Sequence, residues 1–172
     1  MAVVRALGID PGSRITGWGV VDLAGAGMRA VDAGTVRLAA AAPIAERLGR
    51  LLAACRTLLD AWRPTVLVLE RAFVARNVQS ALRLGEVRGV VLAVATEAGV
   101  PVREYAPTQV KLAATGYGHA QKDAIGRGIA MRLGLREAPS PDAADALALA
   151  VCHLQHAPLL EALTRAERGG RA

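Results

Sequence analysis

Apolar positions along the chain follow two different periods, and the change between them separates predicted strands from predicted helices. The run from Val3 to Asp10 is apolar until it ends in an acid, which predicts a buried strand stopped by the Pro-Gly-Ser turn that follows. Segments 16–23 and 28–38 resemble strands and flank an AGAG turn. We therefore expect an antiparallel meander of three strands at the start of the chain.

The rest of the chain alternates between helices and strands. Apolar residues at every third or fourth position predict a helix from Pro43 to Trp62, and TVLVLE at 65–70 is typical of a central strand covered on both faces. The pattern is completed by helices at about 79–98, from Pro107 and at about 121–134, by a fifth strand at 101–105, and by a long final helix from Pro141. This order predicts an α/β fold with a mixed five-stranded sheet and helices on both faces.

The length of 172 residues indicates one domain, which we place at 1–158, followed by a polar C-terminal tail at 159–172 that we expect to fray. Cys55 and Cys152 lie in apolar helical patterns without metal-ligand spacing, so we expect no disulfide. We find no signal peptide and no apolar run long enough to cross a membrane. These features favour a cytoplasmic protein.

The net charge of +6 is concentrated in the middle of the chain. Residues 71–136 hold ten basic and four acidic side chains, whereas the remainder holds eleven of each. Such an excess indicates a polyanionic partner that binds the middle segment.

Four acids are placed where they could form one site. Asp10 and Glu70 end two predicted strands, and ligands of open α/β sheets collect at the carboxyl ends of strands. Asp142 and Asp145 lie three residues apart, on one face of the final helix. Singly, each acid has a structural alternative, since Asp142 could complement a helix dipole and Glu70 could pair with Arg71. Together they predict a four-carboxylate site for Mg²⁺, with Mn²⁺ as a substitute. Two such ions would suit the hydrolysis of a phosphodiester.

Four blocks of sequence resemble the RuvC family of Holliday junction resolvases. They are GIDPGSRITGWGVV at 8–21, LVLERAFVARNVQSALRLGEVRG at 67–89, EYAPTQVK at 104–111 and DAADALALAVCH at 142–153. The resemblance implies a ribonuclease-H-like fold, a homodimer, and Mg²⁺-dependent paired nicking of four-way DNA junctions during recombination and repair. It also implies work with the RuvA and RuvB branch-migration proteins.

The resemblance extends to individual residues. It implies that the four acids are metal-binding catalytic residues. It further implies DNA contacts for five other residues, namely Phe73, Arg76, Asn77, Lys111 and Lys122. Phe73 would stack on junction bases, although without the resemblance such a phenylalanine is more often a core anchor. The two lysines could equally belong to solvated helix faces.

Two features leave alternatives open. The predicted helix at 79–98 carries small and apolar groups that could pack against a second copy or inside one chain, namely Ala81, Leu82, Gly85, Gly89, Leu92 and Ala93. Gln121 and Tyr117 depart from the family pattern and affect the expected details of DNA contact and sequence preference.

Three rival functions remain. Actin-like ATPases and sugar kinases begin with a similar strand and glycine turn, but they need two domains around the nucleotide. A related single-domain nuclease of RNA maturation would share the acids, and a non-catalytic junction-binding scaffold would use them structurally.

Overall fold

The computed structural model describes residues 3–25, 27–71, 78–118 and 121–169, with the backbone alone described at Lys122 and over 157–169. Within these ranges the elements follow one another as β1 (Val4–Asp10), β2 (Ile15–Ala24), β3 (Gly27–Arg37), α1 (Ile44–Trp62), β4 (Val66–Glu70), α2 (Val78–Glu97), β5 (Val102–Tyr105), α3 (Pro107–Thr115), α4 (Lys122–Leu133) and α5 (Pro141–Gly169).

The five strands form one mixed sheet in the order β3-β2-β1-β4-β5. The antiparallel pairs β1–β2 and β2–β3 make the expected meander, while β4 lies parallel to both β1 and β5. The two strands that begin as apolar runs and end in acids are therefore neighbours at the middle of the sheet. The predicted fold class is confirmed.

Alternating residues of the central strands point to two separate hydrophobic cores. On one face, Ala6 and Val68 pack among buried residues of α3, α4 and α5. On the other face, Leu7 and Leu67 pack among buried residues of α1 and α2. All four side chains are fully buried, so each central strand is covered on both faces, as its continuous apolar run predicts.

The last helix, α5, contains a long buried stretch. Every residue from Ala146 to Leu154 is buried, because the helix packs on the sheet and is flanked by α3 and α4. Its backbone is helical past Pro158 to Gly169, and the domain boundary at residue 158 with a fraying tail stays a prediction. Among the described residues, no helix combines the length and apolar character needed to cross a membrane.

A cross-strand ion pair fixes the register of the meander. The Arg5 guanidinium donates hydrogen bonds of 2.7 and 2.8 Å to the two carboxylate oxygens of Asp22, its partner across β1 and β2. These hydrogen bonds hold the pKa of the Asp22 carboxyl below its ordinary value, against the opposing effect of burial.

Candidate active site

Two acids end the two central parallel strands. Asp10 is the last residue of β1 and Glu70 the last residue of β4. The register pairs Ile9 with Leu69, so the residues that follow them, the two acids, lie at neighbouring ends of adjacent strands. Ile9 and Leu69 are completely buried, whereas both acids are half-buried. Each carboxylate therefore stands where the rigid centre of the sheet reaches solvent.

Helix α5 approaches β1 and β2 closely because glycines occupy the contact positions. A Cβ atom on Gly17 would overlap the carbonyl oxygen of Asp142, and one on Gly8 would overlap that of Ala146. Gly17 is also the cross-strand partner of Asp10. The glycines thus bring the first turns of α5 to the edge of the sheet that holds the strand-end acids.

A cavity of about 280 Å³ opens at this edge. Three of the predicted acids line it, Asp10, Glu70 and Asp145, together with Lys111 of α3. The other described residues that line it are apolar, namely Pro107, Val110, Ile125 and Leu149. The fold therefore gathers three carboxylates and one ammonium group from four different elements into a single space.

Asp142 is not part of the lining of this cavity. It lies about one turn before Asp145 on α5, half-buried, with its backbone packed on Gly17. Among the described residues, no three His, Cys, Asp or Glu side chains meet closely enough to form a ready-made ion site. The acids nevertheless suit a hard divalent cation, because such a cation prefers carboxylate oxygens as ligands.

Arg88 of α2 supports the end of β4. Its guanidinium donates a hydrogen bond of 2.7 Å to the main-chain carbonyl oxygen of Glu70 and forms an ion pair with Glu104 of β5. Sequence reasoning assigned Arg88 to the basic surface and missed this role, because residues 18 positions apart give no periodic signal. The N–H of Arg71 donates to the carbonyl oxygen of Tyr105, which continues the pairing of β4 with β5.

A buried polar cluster lies between β5 and α5. The Tyr105 hydroxyl and Nδ1 of His153 share a hydrogen bond of 2.9 Å, and both side chains are buried. Burial is the main cause that lowers the pKa of His153, and the positive charge of Arg103 adds to it. Burial likewise raises the pKa of the Cys152 thiol to about 12. The hydrogen bond and the burial of both rings favour a neutral, structural cluster.

The predicted DNA-contacting residues are only partly described. Lys111 lines the cavity, and Lys122 is the first residue of α4, described by its backbone alone. Phe73, Arg76 and Asn77 lie outside the described residues. Their roles stay predictions.

The two departures from the family pattern lie close together along the chain. Gln121 immediately precedes α4 and makes no side-chain cap to it. Tyr117 is 63% exposed, in the turn after α3. Neither residue lines the cavity that holds the acids.

Comparison with known families supports the interpretation of the sequence blocks. The family model described as "Crossover junction endodeoxyribonuclease RuvC" matches residues 6–153. A protein of that name from Halorhodospira halophila is 48% identical over 168 residues, which cover 96% of this chain and all of the relative.

Solved structures agree with the sequence relatives. The chain is similar to the Thermus thermophilus RuvC structure, with a TM-score of 0.81 and 39% identity, over 91% of this chain and 96% of that one. A second structure, of T. thermophilus RuvC in complex with a Holliday junction substrate, matches with a TM-score of 0.81, 37% identity and the same coverage.

Proposed function

Because the chain belongs to the RuvC family of crossover junction endodeoxyribonucleases, we propose that it resolves four-way DNA junctions by paired, symmetric nicks. The fold is ribonuclease-H-like. The observation that carries the proposal is the single cavity lined by Asp10, Glu70, Asp145 and Lys111.

The proposed cofactor is Mg²⁺, with Mn²⁺ as a substitute, and two ions per site. Asp10, Glu70 and Asp145 would hold them, with Asp142 one turn away as a fourth ligand. Bound ions of this kind activate water and stabilise the leaving oxygen of a phosphodiester. The chemistry of the donor set supports this choice, because carboxylate oxygens select hard cations over zinc.

The protein itself supplies rigid positions and a compensating charge. Asp10 ends a strand that is paired on both sides, and Asp145 stands on a helix whose following residues, 146–154, are all buried. Neither can shift without disturbing the core. The Lys111 ammonium group shares their cavity and would interact with the negative charge that a phosphate brings there.

The basic middle of the chain supports DNA as the polyanion. Six arginines of residues 71–136 are exposed in the described structure, and they are Arg71, Arg83, Arg103, Arg127, Arg132 and Arg136. We assign further contacts to Phe73, Arg76, Asn77 and Lys122, with Phe73 stacking on unpaired bases of the junction. The T. thermophilus relative was solved with a Holliday junction substrate, which supports the same class of substrate for this chain.

We further propose a homodimer, because two symmetric cuts need two sites. Helix α2 has an exposed face that supports this assembly: Val78 and Leu82 are 73% and 63% exposed, and Gly85, Gly89 and Ala93 on the same helix are exposed. RuvA and RuvB are the proposed partners, recombination and DNA repair the proposed setting, and the cytoplasm the proposed compartment.

Mapping the cuts tests the proposal. An immobile four-way junction, labelled on each strand in turn, is incubated with the protein and Mg²⁺, and the products are sized. We expect nicks at symmetric positions in two opposing strands, and none with the Asp145→Asn variant. Nicks in a single strand, or cutting of linear duplex at the same rate, would contradict junction resolution.

The same assay separates the two remaining rivals. An RNA-maturation nuclease would cut structured RNA and leave the junction intact. A non-catalytic scaffold would bind the junction without cutting it in either Mg²⁺ or Mn²⁺. Either result would overturn the proposed function.

A further inference from the structure

A second concave surface lies apart from the cavity that holds the acids. It consists of two adjoining cavities of about 390 and 440 Å³, which share Gln79 and Arg83 of α2. The first is bordered by Arg47 of α1 and by Leu82, which also belongs to the proposed dimer face of α2. The second reaches Ser13 and Arg14, in the turn between β1 and β2. We call this surface the α1–α2 groove.

Arg47 is the unusual member of the groove. It is 6% exposed, and its Nε has no hydrogen-bond partner among the described residues. Glu86 borders the same cavity, but the two residues form no ion pair in the described structure. A buried cation without a compensating anion is costly, so the position favours a negatively charged ligand.

The shape and charge of the groove favour a chain of phosphates over a single small anion. Three arginines border it, Arg47, Arg83 and Arg14, so guanidinium groups occur along both adjoining cavities. Guanidinium groups bind phosphate through paired, charge-assisted hydrogen bonds. Glu86 is the one acid among these lining residues, so three arginines against one carboxylate leave the groove with an excess of positive charge.

The groove begins close to the acids along the chain. Ser13 and Arg14 follow Asp10 by three and four residues, in a turn that is closed by hydrogen bonds between Gly12 and Thr16. A DNA strand leaving the proposed cutting site could therefore continue past this turn onto α2 and α1.

We propose that the α1–α2 groove binds the phosphate backbone of one arm of the DNA substrate, with Arg47 and Arg83 as its phosphate ligands. This inference rests on the proposed function, because it takes DNA as the substrate. It adds a binding surface outside the cavity of the acids, and it includes Arg14 and Arg47, which lie outside the basic segment 71–136.

The salt dependence of binding tests the groove. Junction binding is measured by fluorescence anisotropy in EDTA, which prevents cutting, from about 50 to about 300 mM KCl. For Arg47→Gln and Arg83→Gln we expect the slope of log affinity against log salt to flatten by about 0.9 for each phosphate that the variant no longer neutralises. The corresponding decrease in affinity at 0.1 M salt is roughly eightfold.

Arg50→Gln is the matched control. Arg50 is an exposed arginine of the same helix as Arg47 and borders neither part of the groove, so the slope for this variant should equal that of the wild type. Thermal melting checks the fold of each variant. If Arg47→Gln fails to fold, Arg83→Gln still decides the question, because Arg83 is exposed.

Two results would contradict phosphate binding by the groove. One is an unchanged slope in both variants when the wild type binds and cuts. The other is a change in oligomeric state, seen by sedimentation, with an unchanged slope, which would assign the groove to a second copy of the chain. Failure of the proposed function is distinct, since it would show as wild-type binding of normal salt dependence without any cutting.

Discussion

Arg88 donates a hydrogen bond of 2.7 Å to the main-chain carbonyl oxygen of Glu70, across 18 positions of sequence. The segment between them contains residues proposed to bind the DNA junction. The side chain of Arg88 is 13% exposed and also pairs with Glu104. One guanidinium therefore ties the end of β4 to both α2 and β5.

We predict that Arg88→Gln slows cutting by roughly ten- to one-hundredfold, because small displacements of catalytic groups are costly in rate. Junction affinity should change much less. Single-turnover cleavage and anisotropy measure the two effects separately, and a calorimetric titration with Mn²⁺ should show weaker metal binding. Arg50→Gln, on the exposed surface of α1 and outside the basic segment 71–136, is the control. Equal decreases in rate for the two variants would contradict a positioning role for Arg88.

Asp10→Asn should abolish Mg²⁺-dependent nicking and leave junction binding largely intact. The substitution removes one carboxylate from the cavity but no proposed phosphate ligand. Gel-based cleavage and anisotropy on the same junction provide the measurement. Asp60→Asn, at an exposed acid of α1, should cut at the wild-type rate. Wild-type nicking by Asp10→Asn would refute the assignment of the acids.

Gly17→Ala should disturb stability and catalysis together. The added Cβ would overlap the carbonyl oxygen of Asp142, and backbone atoms cannot move aside as a flexible side chain can. We expect a decrease of about 1 to 3 kcal/mol in the free energy of unfolding, measured by urea denaturation, with slower cutting. Gly49→Ala is the control, because a Cβ there meets open space on α1 and should stabilise the helix by about 0.5 to 1 kcal/mol. A Gly17→Ala variant as stable as the wild type would argue against the close packing.

His153 makes stability depend on pH. Burial lowers its folded-state pKa below the ordinary value of about 6.5, so the unfolded chain binds a proton more readily. The stabilisation that comes from keeping His153 neutral is therefore complete above this ordinary value. It is lost as the pH falls toward the folded-state pKa, by at most about 1.4 kcal/mol per pH unit. His153→Gln should flatten the stability profile below about pH 6.5, where the unfolded chain begins to bind the proton. Urea denaturation across this range measures the effect, and an unchanged profile would contradict the burial argument.

Tyr105→Phe refines the same measurement. It removes the hydroxyl that bonds Nδ1 of His153 but keeps the aromatic ring. We expect a decrease of about 1 kcal/mol in the free energy of unfolding at neutral pH and a smaller decrease in acid. Urea denaturation at several pH values measures both, and a decrease that grows in acid would be inconsistent with a hydrogen bond to the neutral imidazole.

The sequence predicts strands and helices well here because its patterns are local. The ends of the first four predicted strands and of the predicted helix at 79–98 differ from the observed ends by at most one residue. Asp10 and Glu70 are predicted correctly as the last residues of their strands, since a buried apolar run that stops at an acid indicates both the strand and its end. That the two strands are neighbours is known only from the structure.

Contacts between distant residues could not be predicted in this way. The hydrogen bond from Arg88 to Glu70 and the buried position of Arg47 depend on how α1 and α2 pack, and along the sequence both arginines look like ordinary charges of a helix surface. Asp142 and Asp145 lie one turn apart on one helix as predicted, yet the cavity takes in Asp145 alone, because the direction of each side chain is set by how α5 lies on the glycines of β1 and β2.

The burial of α5 links the acids to the most protected part of the molecule. Asp142 and Asp145 begin a helix whose residues 146–154 are all buried, so we expect their positions to be lost together with the core that this helix forms. Amide hydrogens of these buried residues should be among the slowest to exchange with solvent. Heat inactivation should then coincide with global melting, and no partly opened form should keep the fold while losing the arrangement of the acids.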